Sequence, residues 1–204
     1  MRGVGMRALI LDMYGVIMKD PEAGFIPFVN RTFPDLRLDD IYLYWDKADA
    51  GEISSLDFLR EIGIKGDLGK TEKEFLDTVE INESFYEFAP ILKQQFHLAL
   101  LSNDISEWSR YIRSKYKLNE YFDVITVSGD VKVRKPDPEI FLLTVGKLGL
   151  PASHCIYVDD RRSNLSAAQA LGMDTILFNT RNVPYDGKTV NSFKELAEML
   201  IHTY

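Results

Sequence analysis

Four places in this chain carry side chains suited to chemistry on an anion. Asp12 ends the apolar run Ala8-Leu9-Ile10-Leu11, and Ser102-Asn103 ends Leu98-Ala99-Leu100-Leu101. Lys135 closes the basic stretch Lys132-Val133-Arg134-Lys135 ahead of Pro136, and Asp159-Asp160 ends Cys155-Ile156-Tyr157-Val158, with Asn164 one helical turn later. Three carboxylates, an ammonium, a hydroxyl and an amide suit a hard divalent cation held together with an anionic group. A desolvated carboxylate such as Asp12 is costly unless positive charge meets it, so a cation must come from elsewhere in the chain. Pro136 fixes the backbone beside Lys135, which makes Lys135 the expected partner. Lys132 and Arg134 read as solvated.

The elements that must deliver these residues follow from the hydrophobic pattern. Short apolar runs read as strands buried on both faces, as in a parallel sheet. They fall at 7–11, 98–101, 122–127, 155–158 and 175–178. Helical stretches stand between the later ones, at 106–116, 137–149, from 160 to 171 and at 193–201, the second opening on Asp137-Pro138 as cap and first-turn proline. Strand–helix alternation predicts an α/β fold, a doubly wound parallel sheet with right-handed crossovers. In such sheets ligands sit past the carboxyl ends of strands, which places the four polar sets on one rim. Gly15 lets the chain turn tightly beyond the first strand.

Between the first and second strands no strand pattern occurs. Asp20-Pro21-Glu22 reads as a helix start, Gly51-Glu52-Ile53-Ser54-Ser55 as a break with a serine cap, and 56–62 and 72–81 as amphipathic helices. The stretch is too long for a loop in a compact domain. The expected organisation is therefore a core domain of residues 1–18 and 86–204, with a small helical cap of residues 19–85 over the rim. Trp45, Tyr42 and Tyr44 are expected in the interior of that cap. Asp104 suits either the pocket or an exposed turn.

Composition narrows the partners. The chain has 204 residues, 46% of them hydrophobic and 27% charged, and its 31 acidic against 24 basic residues give a formal net charge of −7. That balance argues against nucleic acid or an anionic membrane as partner, so any phosphate must be held by a local site. Cys155 is the sole cysteine and lies in a strand run, which makes it a core residue in a reduced, cytoplasmic setting. No apolar leader and no run long enough to span a membrane is present. None of the three histidines, His97, His154 and His202, falls at a strand end on the active rim, so a histidine mechanism is not expected.

Taken in order, Asp12, Leu101-Ser102-Asn103, Arg134-Lys135-Pro136, and Val158-Asp159-Asp160 with Asn164 resemble the four motifs of the haloacid dehalogenase-like hydrolases. The tail Asn164-Leu165-Ser166-Ala167-Ala168 to Leu171-Gly172-Met173 fits too. Trp45, Gly51-Glu52-Ile53-Ser54 and Trp108 resemble a subgroup of small phosphatases with a helical cap. The resemblance implies a magnesium-dependent phosphatase acting on a small phosphorylated metabolite, such as a sugar phosphate. Asp12 would attack phosphorus to give an aspartyl-phosphate that water hydrolyses. Magnesium would be held by Asp12, the backbone carbonyl of Tyr14, Asp160, and Asp159 through water. Ser102 and Asn103 would donate to phosphoryl oxygens, Lys135 would neutralise charge on nucleophile and substrate, and Asn164 would orient the acidic loop. Monomer and homodimer are both compatible with the sequence.

One position departs from the pattern. The family's second aspartate, a general acid and then base two residues after the nucleophile, is Tyr14 here. A phenol with an ordinary pKa of about 10 is a weak proton shuttle at neutral pH. Tyr14 remains a candidate catalytic residue, with acid, substrate contact and packing all open. A slow enzyme favouring good leaving groups is expected. Tyrosine there also resembles 2-haloacid dehalogenases, which need no metal, but the pair Asp159-Asp160 would repel a carboxylate substrate unless a cation were present. A third reading is a low-activity phosphate-binding regulatory protein.

Overall fold

The computed structural model describes residues 6–19 and 22–203. Its centre is a six-stranded sheet, all parallel, in the order β3-β2-β1-β4-β5-β6. The strands are β1 (Arg7–Leu11), β2 (Phe96–Ser102), β3 (Val124–Val127), β4 (Cys155–Asp159), β5 (Asp174–Phe178) and β6 (Lys188–Val190). β6 corrects the expectation that 175–178 is the last strand. It is a three-residue edge strand whose Lys188 and Thr189 are exposed, so it lacks the apolar run that betrays a central strand.

The helices are α1 (Glu22–Thr32), α2 (Leu38–Asp49), α3 (Ser55–Glu61), α4 (Leu68–Thr78), α5 (Ser84–Lys93), α6 (Ser106–Lys115), the single turn α7 (Ser128–Val131), α8 (Pro138–Leu148), α9 (Arg162–Ala170) and α10 (Phe193–Thr203). The expected start at Asp20-Pro21 lies outside the described residues. Asp137 caps α8 by accepting from the Glu139 N–H at 2.9 Å, and Gly149 ends it in a left-handed conformation. Among the described residues no helix is long and apolar enough to cross a membrane.

Side chains alternate across each strand, and the two faces carry separate cores. Ala8, Ile10, Ala99, Leu101, Cys155 and Tyr157 face α8 and α9. Leu9, Leu11, Leu98, Leu100, Ile156 and Val158 face the other way, into a core that takes in α5, α6 and α10 and runs on without a break into α1–α4. Trp108 of α6 joins these parts. It packs against Phe25, Trp45, Phe58 and Phe75, and its indole N–H donates to Glu72 at 2.8 Å. Aromatic pairs of this kind add about 0.5–1.5 kcal/mol each beyond area burial, so this one side chain does much to seat the inserted helices on the core. A second seat is backbone against backbone: a Cβ on Gly51 would lie 2.2 Å from the carbonyl oxygen of Gly129.

Candidate active site

Parallel pairing puts the ends of β1, β2 and β4 side by side. Leu11 is in register with Leu100 and Val158, and the Asp12 N–H donates to the Val158 carbonyl at 2.9 Å. Asp12 therefore emerges next to Asp159. Beyond it residues 13–18 fold back in a tight loop, with Gly15 N–H on Met18 O and Met18 N–H on Met13 O. Gly15 has φ of +82°, and a Cβ there would meet the Asp160 carboxyl carbon at 2.6 Å. Glycine is thus required twice over, for the backbone angle and for the room that Asp160 takes.

Lys135, 4% exposed, reaches back under the rim. Its ammonium donates to Asp12 Oδ1 at 2.7 Å, Asp159 Oδ2 at 3.0 Å and the Leu101 carbonyl at 3.1 Å. Burial works against its charge, but Asp12 and Asp159 outweigh that and hold its pKa above the ordinary lysine value. Asn103 fixes the backbone that carries it: the Asn103 amide donates to the Lys135 carbonyl at 2.9 Å and accepts the Lys135 N–H at 2.7 Å. Asn103 was expected to donate to a phosphoryl oxygen; in this structure its side chain positions the lysine. Ser102 is wholly buried, its hydroxyl directed at the Asn103 carbonyl at 3.4 Å, and lies behind the cavity wall.

Asp159 is fully engaged. Besides Lys135 it accepts from the Tyr157 hydroxyl, from the Asn164 amide at 3.0 Å and from the Arg161 N–H at 2.7 Å. Asn164 thereby holds the acidic loop, as expected. Asp160 differs. One oxygen takes the Arg181 guanidinium at 2.8 Å, and the other, Oδ1, is buried with no hydrogen-bond partner among the described residues. Oxygens of Asp12, Asp159 and Asp160 lie within 4.8 Å of one another. Burial pushes Asp12 from 3.8 up to about 8; Lys135 pulls it down, while Asp159 and Asp160 push it up. So much negative charge in so little space, with one oxygen left orphaned, fits a hard divalent cation.

These groups open on a cavity of about 520 Å³, walled by Asp12, Tyr14, Asn103, Lys135, Arg161 and Arg181 from the core and by Tyr42, Trp45, Asp46 and Asp49 from α2. Trp45 is both interior, in edge contact with Phe25 at 5.0 Å, and part of this wall; Tyr42 is 47% exposed rather than buried. Arg134, expected to be solvated, turns toward α2. It stands 2.5 Å from Asp46 and 3.5 Å from Asp49. Asp49 is buried, its Oδ1 without a hydrogen-bond partner among the described residues, and burial raises it from 3.8 to about 7, against the pull of Arg134.

Tyr14 donates its hydroxyl to Asp104 Oδ2 at 3.1 Å. Asp104 is 3% exposed, which decides the question left open by sequence in favour of a buried residue. Burial, then Asp104, Asp49 and Asp12, hold the phenol well above the ordinary tyrosine range, so it is a still weaker acid than a free tyrosine. Sequence reasoning did not find Asp46 and Asp49. The signal was present: positions 42, 45, 46 and 49 share one face of a helix.

The haloacid dehalogenase-like hydrolase family model matches residues 6–172. The chain is 27% identical over 175 residues to flavin mononucleotide hydrolase 1 of Arabidopsis thaliana, a match covering 83% of this chain and 71% of that protein. It is 33% identical over 88 residues to phosphoglycolate phosphatase of Pectobacterium atrosepticum, over 43% of this chain and 38% of that one. Among solved structures, a HAD family enzyme of Bacteroides thetaiotaomicron, crystallised with magnesium and inorganic phosphate, has a TM-score of 0.72 at 23% identity, over 85% of this chain and 94% of that one. A 2-haloacid dehalogenase of Pseudomonas syringae is as similar in shape, with a TM-score of 0.70 at 18% identity, over 98% of this chain and all (100%) of that one. One fold carries both chemistries, so the choice between them rests on the site residues.

Proposed function

The chain belongs to the haloacid dehalogenase-like hydrolases, and from that premise we propose that it is a magnesium-dependent phosphatase of a small phosphorylated metabolite, working in the cytoplasm. The observation that carries this reading is the orphaned oxygen of Asp160 beside Asp12 and Asp159, because a halide displacement has no use for a cation there. Asp12, Asp160 and the Tyr14 carbonyl would hold the magnesium, with Asp159 behind them. Bound there, the ion supplies positive charge that lets a carboxylate approach a phosphate dianion.

The chain's own residues do the rest. An Asp12 oxygen attacks phosphorus as the ester P–O bond breaks, giving an aspartyl-phosphate; water then attacks that phosphorus and Asp12 is regenerated. Lys135, pinned by Asn103 and charged by its two carboxylate partners, offsets charge on the nucleophile and on the transferring group. Arg161 and Arg181 add positive charge to the cavity wall of a protein whose net charge is −7, which favours an anionic ligand locally. Residues 19–85 serve as the cap, with the α2 face 42/45/46/49 as the surface that selects the leaving group.

The test is turnover of sugar 1-phosphates, sugar 6-phosphates and an aryl phosphate, with magnesium and with chelator, and Asp12→Asn as the blank. Magnesium-dependent hydrolysis lost in the blank is expected. Release of halide from a chloroacid in chelator would overturn the reading in favour of a dehalogenase. Phosphate binding with no turnover would overturn it in favour of a regulatory protein.

A further inference from the structure

We propose that Asp49, carried to the cavity by α2, is the general acid and base of the reaction, in the role that position 14 has given up. The inference rests on the phosphatase reading above. Asp49 shares the cavity wall with Asp12 and Tyr14. It is 5% exposed, Arg134 approaches its Oδ2 at 3.5 Å, and its Oδ1 has no hydrogen-bond partner among the described residues. An unmet buried oxygen is costly, a cost that ends when a ligand supplies the missing partner. The obvious rival is otherwise occupied, since the Tyr14 hydroxyl donates to Asp104. Both Asp12 and Asp49 lie within electrostatic reach of that phenol, so the nucleophile and the proposed acid belong to one neighbourhood.

Burial raises Asp49 to about 7 against Arg134, with Asp46 raising it further and the Trp45 indole lowering it. A carboxyl present in both forms near neutral pH can give a proton and take one back. In the first step Asp12 bonds to phosphorus, the ester oxygen leaves with the bonding pair, and Asp49 gives it a proton. In the second, water adds its oxygen to phosphorus, the bond to Asp12 breaks, and Asp49 accepts the proton of that water. The products are the free alcohol and inorganic phosphate, and both aspartates return to their starting forms.

The bland alternative is that Asp49 only tethers α2 to Arg134. Leaving-group dependence separates the two. Asp49→Asn should lose ~10²–10⁴-fold in kcat/KM on an alkyl phosphate, and far less in kcat/KM on 4-nitrophenyl phosphate, whose leaving group departs unprotonated. The ratio kcat/KM reports only the step that forms the aspartyl-phosphate, whereas loss of the base for the second step lowers kcat on both esters. Adding Tyr14→Asp to that variant should restore alkyl ester hydrolysis. Equal losses in kcat/KM on both esters, or the same ester-selective loss in Arg134→Met, which keeps the acid and removes the tether, would overturn the proposal. Should Asp49→Asn not fold, wild-type kcat/KM across substituted phenyl phosphates decides, because it reports only the step that expels the leaving group: a flat dependence supports a buried donor, and a steep one overturns it. Wild-type protein inactive on every ester overturns the phosphatase reading, a failure the wild-type control sets apart from failure of Asp49 alone.

Discussion

Arg134 and Lys135 are neighbours in the chain, yet each serves a different acidic pair. Lys135 turns down into the core, to Asp12 and Asp159, at 2.7 and 3.0 Å. Arg134 turns out to the insert, to Asp46 and Asp49, at 2.5 and 3.5 Å. The core pair is closed: its lysine is 2% exposed at the side chain and its carboxylates accept from the backbone, Tyr157 and Asn164 as well. The insert pair is open: its arginine is 34% exposed at the side chain, and both Asp49 Oδ1 and Arg134 Nε are buried without hydrogen-bond partners among the described residues. The lesson is one of division. On the proposed reading, the core presents a closed charge arrangement suited to attack at phosphorus, and the insert presents unmet polar atoms suited to whatever leaves.

The largest effects should come from the closed side. Asp12→Asn removes the proposed nucleophile and should lower kcat on the order of 10⁶-fold, the scale for losing a covalent attacking group. Lys135→Met strands two buried carboxylates. It should cost about 3–5 kcal/mol in stability, together with a large loss in kcat. Arg134→Met, at the same rim but on the open side, should cost about 1 kcal/mol or less and act mainly on KM. Denaturant titration and steady-state kinetics of the two variants side by side check the contrast, and equal destabilisation would erase it.

Sequence reasoning reached the closed side far better than the open one, for a physical reason. A polar residue at the end of an apolar strand is placed by the strand itself, so Asp12, Ser102, Asn103, Asp159 and Asp160 could be set on one rim from local pattern alone. The Lys135 partnership followed because a buried Asp12 demands a cation. Nothing local says which way a side chain turns in a loop, and there Arg134 was taken as solvated, whereas it turns to Asp46 and Asp49. The face that α2 turns to the cavity depends on Phe25, Trp45, Phe58 and Trp108 meeting across four elements. The 42/45/46/49 stripe was legible as a face, but not as the face over the nucleophile. β6 escaped because an edge strand of Lys-Thr-Val has no burial pattern to read.

If the open side depends on how the insert sits, disturbing the seat should harm it first. Gly51 has φ of +68° and its missing Cβ would lie 2.2 Å from Gly129 O, backbone that cannot move aside cheaply. Gly51→Ala should cost roughly 3 kcal/mol from left-handed strain and the clash together. Its remaining activity should fall more on alkyl than on aryl phosphates, because Asp49 is two residues away while Asp12 and Lys135 are untouched. A uniform loss of activity across esters would show that the two sides move as one.

The remaining effect is a slope. Asp49 has an ordinary pKa of 3.8 and a folded value of about 7, raised chiefly by burial. Between those values the folded chain keeps a proton that the unfolded chain has lost, so folding is favoured at the acid end and that advantage drains away as pH rises through about 7. The limiting slope for one such group is about 1.4 kcal/mol per pH unit. Asp12, Asp104 and Asp160 are raised as well and tilt stability in the same direction. Asp49→Asn subtracts one group and leaves the other three. Urea midpoints of wild type and variant in chelator, taken every half pH unit from about 4 to 8, isolate it. Relative to the variant, wild type should lose stability as pH rises, most steeply below about 7, and level off above. A difference that stays flat would mean that Asp49 is ionised throughout, its charge fully met by Arg134, and the contrast between the two sides would then lie in exposure alone.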